Sequence, residues 1–548
     1  MKAIFSNFKV VLLLLTLSQV FISCEKFVEV TPTSQVSDDA VWKSTGNADL
    51  FLNNIYAGLP GQFNTNDPDE NLSDNAMRGS SSGYSFATYA GSNYTSSTIK
   101  DYWTPYFNVI RRANLFIENV TESNLDATWK KTRLAEARFL RAYFYQLLWI
   151  KYGGVPIIKD VLDRTSQGDN IFRARNTDEE TYKFIRDECA AIANDLPVKS
   201  QAGRASQGAA LTLKGWVELI YASPLKNTSN DKSRWQIAAA TNKQVMDLGT
   251  YNLFPNLETL FYEENNNNIE IIFDKAYIGG TTLGGSREGL HGSWMVGGLQ
   301  RAWSAPNPTQ ELVDEYVMKN GLPITDSKSG YDPNNPYANR EDRFYQSIIY
   351  DGCNWLGFEM EMWIGSGSKN TLDLGSANEA TNTGYYLRKG LNPKYAQSGD
   401  LRLNSAHQVI FRYAEVLLSY AEALNEFSGP DATVYNSVNK VRERSNIPAL
   451  SSGLNQDQMR IAIQRERRVE LAFEERRWDD LMRLKLAEVN LNKPFRAMKI
   501  EKVGGKKVYS VMLAPNGNRA FYANKNYLHP IPQKVIDQNK KVIQNPNY

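Results

Sequence analysis

The apolar positions of this chain recur mostly with a helical period. Between Arg133 and Pro156 (RLAEARFLRAYFYQLLWIKYGGVP), Leu140, Phe144, Leu147 and Leu148 form one stripe, and Leu134, Ala142, Tyr145 and Trp149 fall on the other side. The residues are good helix formers, and Gly153-Gly154 followed by Pro156 is a strong stop. A helix with two apolar faces packs between neighbours, so the pattern predicts a helix over 133–152 inside a helical assembly. Further helices are predicted over 39–59, 98–120, 206–222, 235–248, 407–427, 431–444 and 457–486, and one from a Thr177 cap to about 196. Ala209, Leu213, Trp216 and Val217 repeat the spacing of the first stripe, as do Val409, Tyr413, Val416 and Leu417. A small residue (Ala137, Ser206, Ala406) precedes each series by three positions. The first two copies lie 69 residues apart, about twice the tetratricopeptide period, with one clear helix between them. Any amphipathic helix shows such spacing, so the expectation is a loose set of degenerate helical repeats and not a regular array.

The helical pattern is interrupted twice. Residues 64–97 are rich in Asn, Ser, Gly and Tyr, a composition that marks a long polar loop, and its tyrosines argue against plain disorder. From 269 to 395 Gly, Asn and Ser rise, and short strands are predicted in IEIIFD, QSIIYD and GYYLRKG. The final YLHPIPQKVIDQNKKVIQNPNY, with its three prolines, reads as an extended closing segment. The expected division is a signal peptide at 1–23, a tether at 24–37, a helical part at 38–268, a loop-rich inserted part at 269–405 and a helical part at 406–548 that closes the same fold. The expected fold class is therefore mainly α, with a loop-rich lobe containing short strands.

Length and charge narrow the functional classes. At 548 residues the chain is too long for one simple core. Lys2 and Lys9 are the only charges of the first 23 residues, and without them 60 basic residues face 60 acidic ones. That balance argues against a bulk nucleic-acid binder. Val10 to Leu17 is an apolar run too short to span a bilayer, and Phe21-Ile22-Ser23-Cys24 follows it. This start resembles a bacterial lipoprotein signal cut before Cys24, although Phe21 stands where Leu is usual; the alternative is an ordinary secretory signal with an incidental cysteine. Lipidation at Cys24 would tether a body in which no later segment is long and apolar enough to span. Three cysteines make no disulfide framework; a Cys189–Cys353 bridge is one possibility, and a small buried Cys189 in a helical pattern is the other.

Catalytic signals are lacking. The three histidines, at 291, 407 and 529, sit in no metal pattern, and no cofactor motif occurs. Gly79-Ser80-Ser81-Ser82-Gly83 fits GxSxG formally but lacks the strand-turn-helix setting of a nucleophile elbow. The aromatic clusters say more. Tyr84, Phe86, Tyr89 and Tyr94 lie on the first polar loop, Trp294 and Trp303 on a second, Trp355 and Trp363 on a third. A flat ring offers an apolar platform to the C–H face of a sugar, and Asp74, Asn75, Arg287 and Arg301 are candidates to bond its hydroxyls. Each aromatic taken alone is better explained as a core residue, whereas at least two of them together are expected to line a site. The expected ligand-binding set is Asp74, Asn75, Tyr84, Tyr89, Trp294, Arg301, Trp303 and Trp355. The charged run ERRVELAFEERRWDDLMR (466–483) reads as solvated or interlocking ion pairs, with Leu471, Trp478, Met482 and Leu486 as its buried stripe.

Taken in order, Cys24, EARFLRAYFYQLLWIKYGGVP, NREDRFYQSIIYDG, FRYAEVLLSYAEALNE, VNKVRERSNIP, RERRVELAFEERRWDDLMRL, LHPIP and the terminal QNPNY resemble the SusD/RagB family of outer-membrane lipoproteins of Bacteroidetes-type bacteria. Asn547 departs from the family's usual Gly-Tyr ending. The resemblance covers nearly the whole chain. It implies tetratricopeptide-like helix pairs supporting a loop-rich ligand face. It also implies a non-enzymatic, surface-facing glycan-binding protein that caps a SusC-like TonB-dependent transporter. A peptide- or other nutrient-binding lid and a secreted glycosidase are the alternatives. The matched motifs are scaffold, so no binding residue follows from them.

Overall fold

The computed structural model describes residues 38–61, 69–78, 91–92, 94–278, 287–365, 381–396 and 404–548. Cys24, Tyr84, Phe86, Tyr89 and the GxSxG stretch lie outside them. The frame begins with α1 (Thr45–Ala57), α2 (Trp103–Glu122), α3 (Ala127–Tyr152), α4 (Asp178–Ile192), α5 (Gln207–Ala222) and α6 (Lys232–Asp247). It resumes with α7 (Tyr413–Ser428), α8 (Ala432–Arg444), α9 (Gln456–Glu470) and α10 (Arg477–Arg483). From α2 to α7, skipping the inserted lobe, each helix packs on the one before it, and α8 and α9 both lie on α7. Most of these helices share one continuous apolar core, so the architecture is mainly α with tetratricopeptide-like pairing.

α3 is the two-faced helix the pattern demands, packed between α2 and α4. Leu140, Phe144, Tyr145, Leu148 and Trp149 are buried on both sides of it. It starts earlier than the periodicity suggests, because Asp126 caps it by accepting from the Trp129 amide at 2.8 Å. It stops where Gly153 adopts φ +73°, and a Cβ on Gly154 would stand 2.1 Å from the Asn176 carbonyl oxygen. The chain's end closes over this stop: the His529 amide donates to the Lys151 carbonyl at 2.7 Å, and Asn545 Nδ2 donates to the Tyr152 carbonyl at 3.1 Å. The tail is not extended throughout, since Gln533–Gln538 is helical.

Three predicted helices differ in outline. The pattern over 39–59 is broken before α1, where the Ser44 side chain accepts from the Asn47 amide and caps the helix. The pattern over 407–427 begins as a strand: β2 (Gln408–Arg412) pairs antiparallel with β1 (Ile271–Lys275), with Gln408 opposite Lys275 and Arg412 opposite Ile271. Val409 therefore belongs to a strand, and the third copy of the repeat spacing begins only at Tyr413. The pattern over 457–486 is two helices. Between them Phe473 and Glu475 turn the chain with φ near +62°. Beyond α10 the chain forms the hairpin of β3 (Arg496–Val503) and β4 (Lys506–Leu513), which the helical reading passes over.

The lobe between β1 and β2 has its own core around Leu312, Tyr316, Phe344, Ile348 and Tyr386, closed by Phe473 and Met498 from the later chain. Ile348–Ile349 pairs with Tyr386–Leu387, uniting two of the predicted strands. Cys189 and Cys353 are both free and buried, so the bridge considered above is not formed.

The charges of 466–483 are interlocked and largely buried. Glu470 meets Arg412 at 2.7 Å, Arg343 at 3.1 Å and also Arg444. Arg412 reaches on to Glu270 and Glu474, both at 2.6 Å. Burial pushes the Glu470 carboxyl up, but the guanidiniums of Arg444, Arg412 and Arg343 outweigh it and hold the group well below the usual carboxylate range. A second cluster joins Arg467 to Asp480 and Arg483 to Glu422 and Asp480. Arg343 belongs to the lobe, Glu270 to the turn just before β1, Arg412 to β2, and Arg444 and Glu470 to the frame. The network therefore fixes the lobe on the frame in one orientation, because any slippage would strand a buried charge.

Candidate ligand-binding face

The candidate face stands on two tight hairpins of the lobe. In the first, Met295–Val296 pairs with Leu299–Gln300 around Gly297 and Gly298, whose φ values are +61° and +83°. In the second, Asn354–Trp355 pairs with Phe358–Glu359 around Leu356 and Gly357, at +54° and +83°. Two positive-φ residues in a two-residue connection are what a right-twisted hairpin requires. The hairpins meet at Gly297, where a Cβ would lie 2.6 Å from the Phe358 ring. Only a glycine allows that approach.

Trp294 immediately precedes the first hairpin, and Trp303 follows it three residues after Gln300. The Arg301 amide donates to the Trp294 carbonyl at 2.8 Å, and the Trp303 amide to the Gly289 carbonyl at 2.9 Å. These bonds bring the two indoles to a centroid distance of 5.9 Å with their planes tilted by 58°. Trp303 is 50% exposed, and Leu299 and Phe358 are exposed on the two hairpins of this face. Trp294 is half-buried against the lobe core. Arg301 is half-buried, and among the described residues its guanidinium has no hydrogen-bond or ion-pair partner, with Nε buried and unsatisfied. The combination is an exposed apolar platform with an uncommitted five-donor group in the same loop.

The other expected residues have different surroundings. Asp74 is 2% exposed, bonded to Arg477 Nε at 2.6 Å and to Asn490 Nδ2 at 2.8 Å. Burial raises its carboxyl, and the positive charges of Arg468 and Arg477 more than reverse that. Asn75 is fully buried, accepting from Arg468 Nε at 2.8 Å and donating to Glu70 at 2.7 Å. Neither offers a free group to a ligand. Both support the tryptophan loop instead: the Asp74 and Asn75 carbonyls accept from Thr309, Ala76 and Met77 pair with Pro308 and Asn307, and Asn71 Nδ2 donates to the Ala305 carbonyl at 3.2 Å. Trp355 is 3% exposed in the lobe core, with Arg388 5.4 Å from its ring. Arg287 is buried and donates to the Lys389 carbonyl at 2.9 Å, its pKa lowered to about 10 by burial. Trp363 has Lys502 4.0 Å from its ring, and Tyr94 is buried beside Asn526 and Tyr548. Leu299 and Phe358 were not anticipated. The Gly-Gly of MVGGLQ and the Leu-Gly of NWLGFE are the hairpin signals that place them.

Among the described residues no group of three or more His, Cys, Asp or Glu side chains is placed to hold a metal, and no helix is long and apolar enough to cross a membrane.

A helical frame, a lobe fixed to it by buried charge and an aromatic face on that lobe define a scaffold for presenting binding loops. Residues 269–548 match the SusD family, and residues 26–217 match a family described as starch-binding and associating with the outer membrane. The chain belongs to the SusD family. It is 26% identical over 499 residues to a SusD-like protein of Formosa agariphila, covering 87% of this chain and 92% of that one. A SusD-like protein of Bacteroides fragilis superposes with a TM-score of 0.79 at 26% identity, over 93% of this chain and 99% of the other. A SusD-like carbohydrate-binding protein of Bacteroides fragilis does so with a TM-score of 0.78 at 27% identity, over 91% and 99%.

Proposed function

We propose that this chain is a surface glycan-binding lipoprotein that captures an oligosaccharide and, as the lid of a SusC-like TonB-dependent transporter, hands it on for uptake. The observation that carries the binding role is the Trp294–Trp303 pair beside the uncommitted Arg301 guanidinium. The rings cover the apolar face of a pyranose, and the guanidinium donates to its hydroxyls. Tyr84 and Tyr89, on the polar loop 64–97, are proposed to extend the contact. Asp74, Asn75 and Trp355 hold the loops in place and touch no sugar. The carbohydrate-binding relative in Bacteroides fragilis supports the ligand class, and the outer-membrane description of the family supports the location. The role is binding without bond cleavage, and the anchor is an acyl chain on Cys24.

The test is affinity electrophoresis and calorimetry of the mature protein against a polysaccharide panel. A glycan that binds should lose affinity by about tenfold or more in Trp303→Ala and in Trp294→Ala, and by less in Arg301→Ala. No binding to any glycan, or affinity unchanged from the native protein in both tryptophan variants, overturns the reading. Release of shortened glycan on incubation would contradict the non-catalytic role. Cys24→Ala should release the protein from the membrane fraction and remove fatty-acid labelling, and the anchored protein should copurify with the transporter.

A further inference from the structure

A second site lies in the frame, independent of the glycan reading. α2, α3, α5, β2 and the start of α10 line a partly open cavity of about 80 Å3, and none of its lining residues belongs to the tryptophan face. That space is several times what one water needs. Leu147, Ile150 and Phe411 supply apolar wall, and Tyr106, Tyr143 and Trp216 supply rings. Gln146 also lines it. It is 3% exposed, and its amide has no hydrogen-bond partner among the described residues. The hydroxyls of Tyr106 and Tyr143, on side chains more than nine-tenths buried, are likewise unpartnered. The polar atoms of these three side chains open onto the cavity, so an occupant would meet three hydrogen-bonding groups with no partner among the described residues.

The charges indicate what that occupant is. Each cation of the wall is already matched: Lys151 Nζ lies 3.1 Å from Asp69, and Arg476 Nε lies 2.6 Å from Glu415. Glu474 is held by Arg412 and Lys389, and Glu475 accepts from the Glu70 amide at 3.0 Å. Among the described residues Asp479 is the one lining carboxylate that accepts no hydrogen bond and forms no ion pair. Burial pushes its pKa up to about 6, Lys151 and Arg476 lower it, and Asp69 and Asp480 raise it. Glu475 also lacks a cation, but burial and the charges of Asp69 and Glu70 push its carboxyl well up and favour the protonated form, so Asp479 is the wall carboxylate left without a bonded partner among the described residues.

We propose that this cavity binds a small protonated primary amine. Its N–H groups would donate to the Asp479 carboxylate, the Gln146 amide oxygen and a tyrosine hydroxyl oxygen, and the rings would add cation–π attraction. A neutral alcohol would leave the Asp479 carboxylate without a cationic partner, and a bare metal ion would find too few carboxylate or imidazole ligands.

Calorimetry and ligand-detected NMR on the full mature protein test this with methylammonium and, as its neutral counterpart of similar size, methanol. Saturable methylammonium binding is expected, with methanol at least about tenfold weaker. Asp479→Asn should weaken methylammonium binding about tenfold, Gln146→Leu should weaken it less, and Trp303→Ala should leave it unchanged. In the native protein the affinity should fall as pH drops through 6, where Asp479 takes up a proton. No saturable binding, equal affinity for methanol, or unaltered binding by Asp479→Asn overturns the proposal. If Asp479→Asn fails to fold, Gln146→Leu together with the pH profile decides. Failure here leaves the glycan reading untouched, because the polysaccharide panel and the tryptophan variants report on the other face alone.

Discussion

The densely charged segment 466–483 and the aromatic loop 287–305 exchange the places their compositions suggest. The charges are interior, and Trp303 is on the surface. The difference is one of partners. Glu470 finds three guanidiniums inside the protein, and Asp74 finds two. A charge matched in that way can be buried, and leaving it unmatched is costly. Trp303 finds one tilted neighbour on one side and solvent on the other. Burial follows from what a side chain can pair with, and a group left unpaired at the surface or beside a cavity is where binding should be sought.

The sharpest way to break the comparison is at Arg412. Arg412→Ala leaves Glu270, Glu470 and Glu474 facing one another without their shared cation. It should cost about 3–5 kcal/mol in urea unfolding. A loss below about 1 kcal/mol would put the segment in the class of solvated surface pairs.

A smaller effect is expected from pH at Asp479. Its folded pKa, about 6, lies above the usual aspartate value, so the fold favours the protonated form. The associated stability is full below about pH 4 and is lost as pH rises through 6. Asp479→Asn should therefore gain on the native protein by about 2 kcal/mol between pH 4 and pH 7, read from unfolding curves at each pH. Asp74 and Glu470 have the opposite sign: their carboxyls are depressed, so their contribution is present at neutral pH and is lost on strong acidification.

Gly297→Ala should cost about 1 kcal/mol, since it places a Cβ at positive φ against the Phe358 ring. It should also weaken glycan binding by separating the hairpins. Trp303→Ala is the smallest perturbation of the fold, within about 0.5 kcal/mol of the native protein, although it has the largest expected effect on glycan affinity. A Trp303 variant that unfolds more readily than the Arg412 variant would invert the comparison.

The frame was legible because helical periodicity is a local signal. Asp126, Thr177, Ser206 and Asp431 all cap helices, and the double stop after Tyr152 stands where its glycines predict it. The strand at Gln408–Arg412 was misread because Val409 continues the helical spacing, while its pairing with Ile271–Lys275 depends on a partner far away in sequence. The break after Glu470 was hidden for a similar reason. Its left-handed turn at Phe473 and Glu475 contains no glycine or proline, and it is held by groups from elsewhere in the chain, with Arg412 and Lys389 on Glu474 and the Glu70 carboxylate accepting from the Phe473 amide. The aromatic loops were recognisable as loops, but exposure was not. Trp303 and Trp355 look alike in sequence, and only the packing around them places one at the surface and the other in the core. Gln146 and Asp479 gave no sequence signal at all, because a missing partner is visible only in three dimensions.

The pairing of β1 with β2 sets where the lobe leaves the frame and where it returns. Lys275 and Gln408 stand side by side, so the chain of the lobe leaves and returns through one two-stranded clasp. Lengthening a chain segment whose ends are already joined adds little closure entropy. The lobe can therefore gain or lose loops, and with them a choice of ligand, while the helices remain in register. A lobe from a relative grafted between these two positions should inherit the frame's stability, provided that it also brings a counterpart of Arg343 to meet Glu470.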